Sequence, residues 1–96
     1  MIKVLKLTTG EEIIGDVTGS DTVTIKEPCI LQMVPSKSNP GAAMMALMPY
    51  VAHIKNSLLD ISLEHIVWEG EPIEELYNQY NSIFGTGIQL SSSKFR

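Results

Sequence analysis

Two histidines, one cysteine and eleven carboxylates are the groups from which this 96-residue chain could build catalysis or a metal site. His53 and His65 would hold a metal only by converging with a carboxylate such as Asp60 or Glu64. Nothing in their spacing demands it, and a hydrogen-bonded or surface imidazole is the simpler state. Cys29 with either histidine would make a nucleophile and a base, but it lies between Pro28 and Ile30 in an apolar stretch that leaves a thiol buried and inert. No CxxC or Cys/His spacing points to zinc. Glu11 and Glu12 fall on a hairpin. Glu69, Glu71, Glu74 and Glu75 crowd the start of a helix, where solvation and the helix dipole account for them without acid–base chemistry. Gly10, Gly15 and Gly19 lack the Lys-Ser/Thr and the following helix of a phosphate-cradling loop. Trp68, Tyr50, Tyr77 and Tyr80 could stack on bases, although the two helical tyrosines belong to an apolar stripe. No catalytic set survives. The expectation is a non-enzymatic protein with no cofactor and no metal.

Length and composition narrow the field further. Ninety-six residues make one domain, and a chain this short is more comfortable in an oligomer than alone. Apolar residues are 44% and charged residues 19%, a globular balance. The net charge is −4, and two of the seven basic residues, Lys94 and Arg96, stand at the C-terminal end, so the body is more acidic still. That argues against duplex DNA, which needs many phosphate-neutralising cations. The lone cysteine excludes an internal disulfide. The most apolar stretch, Ala42 to Ile54, contains Pro49 and His53 and falls short of the ~20 residues of a spanning helix. With no signal-peptide layout after Met1, the chain reads as soluble and cytoplasmic, without a membrane partner.

The elements follow from periodicity. Residues 2–7 alternate as a strand, with Ile2 and Val4 on one face and Lys3, Leu5 and Leu7 on the other. Thr8 to Glu11 supply a turn, and residues 12–18 a second strand with Gly15 inside it, the mark of a bend or a close backbone approach. Gly19-Ser20-Asp21 turns into a third strand, residues 22–34, bent or at an edge where Pro28 interrupts it. Residues 35–41 (PSKSNPG) are the clearest loop. Ala42 to His53 predicts a strand covered on both faces, and residues 58–68 a last strand kinked near Glu64-His65. A helix then runs from Glu71-Pro72 to Gly85, with Ile73, Leu76, Tyr77, Tyr80, Ile83 and Phe84 in one stripe. Residues 86–96 are expected to form a partly mobile tail.

The segment from Leu5 to Asp21 resembles the first signature of the Sm/LSm family: Leu5, Leu7, Gly10, Ile13, Gly15, Val17 and Asp21 match its apolar, glycine and aspartate places at the right spacing. The pattern has a physical basis, since Gly10 can close a tight hairpin and Gly15 can let a bent strand curl round a tiny barrel. The whole chain resembles the short Sm-like proteins of tailed bacteriophages. It departs from the family in three places. Thr22-Val23-Thr24-Ile25 stands where the first signature goes on to an asparagine, the helix comes last rather than first, and the second signature has two distant counterparts. One register uses Ile54-Lys55-Asn56-Ser57. The other uses Ile61-Ser62-Leu63-Glu64, with Ile66 after it.

The resemblance implies a mainly β fold: a small, five-stranded, strongly bent antiparallel Sm-like barrel over residues 1–70, with the C-terminal amphipathic helix of residues 71–85 packed on the barrel or a neighbour. It also implies a homo-oligomeric ring of six or seven subunits joined strand edge to strand edge. The dense apolar run of Met44, Met45, Leu47, Met48 and Tyr50 fits such an interface. Single-stranded RNA is the implied partner, near Thr22, Thr24, Lys55 and Asn56. The alternative is an oligomeric protein-interaction or assembly module without RNA binding.

Overall fold

The computed structural model describes residues 1–39, 41–51 and 53–84. The strands are β1 (Ile2–Leu7), β2 (Glu12–Thr18), β3 (Thr22–Pro35), β4 (Ala43–Pro49), β5 (Leu58–Ser62) and β6 (Ile66–Gly70), followed by the helix α1 (Glu74–Phe84). Short 3-10 turns at Lys55–Ser57 and Leu63–His65 flank β5. All pairings are antiparallel within one sheet, in the order β4-β3-β2-β1-β6, and β5 pairs with the first half of β3.

Alternation in β1 sorts the two faces. Leu5 and Leu7 join Ile13, Val17, Val23 and Ile25 in the inner core. Ile2 and Val4 face outward with Ile14, Cys29 and Leu31, where α1 covers them through Leu76, Tyr80 and Phe84. These three recur every four residues along one side of the helix. The predicted stripe is therefore split: Ile73 and Ile83 stay exposed.

β3 is continuous but bent. Ile14 pairs with Cys29 and Asp16 with Lys26, so β3 carries one residue more than β2 between these pairs, a bulge at Glu27-Pro28. Glu27 takes a left-handed φ of +53° there, and Pro28 sits where a missing N–H is tolerated. Gly15 lies opposite. A methyl group on it would overlap the Ile25 side chain and crowd the Lys26 carbonyl at 3.2 Å, so only glycine allows this approach. Gly10 serves differently: its φ of +99° closes the β1–β2 hairpin with open space around it.

The expected five-stranded, strongly bent barrel is corrected on two counts. The last predicted strand is divided in two by the turn at Leu63–His65, which makes six strands. The sheet also does not close, because β5 and β6 are not paired with each other. It is nevertheless curled. Across β5-β3-β2-β1-β6 a flat sheet would span about 19 Å, whereas the link from Ser62 to Ile66 covers about 8 Å at 3-10 rise. Thr8 N–H donates to His65 O at 2.9 Å and fastens this turn to the β1–β2 hairpin.

β4 is shorter than expected, ending at Pro49, and it is not covered on both faces: Ala43, Met44 and Met48 are exposed. The helix starts later than Glu71-Pro72. The Ile73 carbonyl accepts its first bond, from Tyr77 N–H at 2.9 Å, so Pro72 lies outside it. Gly85 and the tail lie outside the described residues.

Candidate functional site

The β3–β5 ladder positions the residues named for RNA. Thr22 pairs with Ser62, Thr24 with Asp60 and Lys26 with Leu58. Lys55 and Asn56 precede Leu58, so they sit at the far end of the ladder from Thr22, about 13 Å of strand away. The structure does not bring Lys55 and Asn56 together with Thr22. The segment that does lie beside Thr22 is Ser62 and the turn after it, which corresponds to the second of the two registers. Asn56 and Ser57 are both left-handed, with φ of +62° and +52°, which turns the chain sharply into β5. The Thr24 hydroxyl donates to Asp60 Oδ1 at 2.7 Å and is already engaged within the chain.

Charge at this end is negative. The turns at residues 19–21 and 63–65 carry Asp21 and Glu64, with Asp60 close behind, and residues 19–24 and 60–65 contain no lysine or arginine. His65 lies 3.8 Å from Glu64 on the surface. A cleft of about 290 Å³ opens where β5 and β6 fail to pair, lined by Leu7, Thr9, Tyr50, Asp60, Ser62 and His65 among others. Tyr50 is part of its lining. Its hydroxyl donates to Glu11 at 2.9 Å, and its ring packs on the inner core. Burial, then the Glu11 carboxylate, pushes the Tyr50 phenol up. Tyr50, expected at an interface, is thus partly used inside the chain. Among the described residues no group of three His, Cys, Asp or Glu is placed to hold a metal ion. Cys29 is buried, and burial followed by Glu27 raises its thiol to about 11, far from nucleophilic.

The ends of the sheet are different in character. Among the described residues no strand pairs with the outer side of β4 or of β6. β4 (AMMALMP) has no charge, and β6 (IVWEG) has only Glu69. Exposed apolar side chains fringe both: Met44 (54%) and Met48 (47%) on β4, Val67 (59%) and Trp68 (46%) on β6. Of the residues expected at an interface, Met44 and Met48 are therefore exposed, whereas Met45 and Leu47 are half-buried toward the helix side.

No protein-family model and no curated protein matches the chain.

Function is thus carried by the geometry alone, and the geometry concentrates on the edges. The sequence marks Trp68 only as a ring that could stack and does not mark Val67; that both are exposed on an end strand depends on the pairing across the fold. No helix among the described residues is long and apolar enough to cross a membrane.

Proposed function

We propose that this chain is a non-enzymatic, Sm-like subunit that assembles with copies of itself, the β4 edge of one pairing with the β6 edge of the next. The observation that carries this reading is the pair of edges, at opposite ends of one strand order, that no element among the described residues pairs with. Proteins ordinarily blunt a free edge with lysine, proline or a covering element. β4 has only Pro49, at its very end, and both edges expose large apolar side chains instead. Because the two edges differ, the contact is heterologous and closes into a ring when the rotation permits. The resemblance implies six or seven members. Light scattering at micromolar concentration should give one species several times the 10.6 kDa chain mass. A monomer would remove the proposal.

Assembly without RNA is favoured as the role. Single-stranded RNA is the second reading, supported by the Thr22–Ser62 pairing that sets the β2–β3 and β5–β6 turns side by side. Against it stand the carboxylates of those turns and their lack of cations. Titration of labelled oligo-U and oligo-A at low and moderate salt separates the two. Binding that persists at moderate salt would establish the RNA reading.

A further inference from the structure

A groove of about 400 Å³ lies on the outer side of the sheet between β4 and the start of α1, lined by Met45, Ile73, Glu75, Leu76 and Gln79 among others. It is apolar in its walls, with a carboxylate and an amide among its lining, and nothing among the described residues fills it.

Cross-strand partners share a face of the sheet, as do residues two apart. Trp68 pairs with Lys6, and Lys6 lies two residues from Val4. Val4 pairs with Ile14, Ile14 with Cys29, and Cys29 is two and four residues from Leu31 and Met33, the second of which pairs with Met45. Trp68 and Met45 therefore occupy the same face, the one that bears the helix. Trp68 is at one end of the strand order and the groove is at the other.

We infer that Trp68 of one copy seats in the groove between β4 and α1 of the next. This rests on the edge-to-edge reading above. When the β6 edge docks on β4 with the helix-bearing faces aligned, the indole projects from that face beside the groove. The chemistry matches. An indole is a large apolar body with one N–H that needs an acceptor when buried, and Glu75 and Gln79 offer acceptor oxygens at an otherwise apolar site. Tryptophan is also the side chain most suited to anchoring an interface from a single position.

Trp68 is the chain's one tryptophan, so its fluorescence in the assembled protein reports the seat directly. The expected result is a blue-shifted emission with acrylamide quenching reduced several-fold against the denatured chain. Ile73→Asp, at the exposed rim of the groove, should return emission and quenching toward the denatured values while circular dichroism stays native, whether or not the ring persists. A large species whose Trp68 is freely quenched overturns the anchor and leaves edge pairing standing. A protected Trp68 that is indifferent to Ile73→Asp overturns the groove as its seat. A monomer overturns edge pairing and the anchor together.

Discussion

The hydroxyl of Tyr80 lies 2.9 Å from the carbonyl oxygen of Glu27, and the neighbouring Lys26 carbonyl is 3.0 Å away. These carbonyls belong to the bulge that bends β3. The single phenol hydrogen of Tyr80 is thus shared between two backbone acceptors at the bulge. It ties the covering helix to the point where the sheet changes direction.

Tyr80→Phe keeps the ring and its contact with Phe84 (centroids 4.7 Å apart) but removes the hydroxyl that those carbonyls share. A loss of about 1–2 kcal/mol is expected in urea unfolding. Tyr80→Ala, which also empties the packed site, should cost about 3–5 kcal/mol.

Two glycines should respond differently to alanine. Gly15→Ala forces Ile25 to move in the inner core, an overpacking expected to cost about 1–3 kcal/mol. Gly10→Ala meets no neighbour and should lose about 1 kcal/mol through its positive φ alone. Pairing Gly15→Ala with Ile25→Ala, which removes the Cγ2 that the new methyl meets, should cost less than the sum of the two single losses, whereas Gly10→Ala should add to Ile25→Ala in full, measured by the same denaturation curves.

Stability should decline in alkali. The Cys29 thiol rises from its ordinary 9.0 to about 11 on folding, through burial first and Glu27 second. Tyr80 moves upward in the same sense, through burial above all. Groups whose values are raised in the folded state give their full stabilisation below the unfolded value and lose it as pH climbs through the folded one. Thermal midpoints should thus hold up to pH ~9 and fall above it. Cys29→Ala should flatten the part of the fall between pH 9 and 11, and the native thiol should resist disulfide reagents at pH 8.

Charges placed on the two edges should dismantle the assembly without unfolding the subunit. Met44→Lys or Val67→Lys, each at an exposed position, is expected to shift the scattering mass to smaller species at unchanged circular dichroism. Lys55→Glu, outside both edge strands, should leave the mass unchanged.

Much of the fold was legible because alternation is a local property. The opposite facings of Leu5 and Val4 follow from period two, and the close approach at Gly15 follows from a glycine inside a strand. The kink at Glu64-His65 was visible too. Its consequence was not, because whether two half-strands count as one depends on what each pairs with. The same limit applies to the site. Thr22 and Lys55 are separated by a register set across the fold, and nothing near either residue encodes it. Proline at the first helical turn pointed to Pro72, yet the Ile73 carbonyl takes the first bond and moves the start of α1. Tyr80 reads as one more apolar stripe residue until the bulge supplies carbonyls for its hydroxyl.

The unpaired junction of β5 and β6 means that curvature is held by a clasp rather than a ladder. Leu63–His65 and the bond from Thr8 gauge how far the wall bends round. A residue inserted in that clasp would open the arc like a loosened belt, and in the proposed assembly each subunit's angle to its neighbour would change with it.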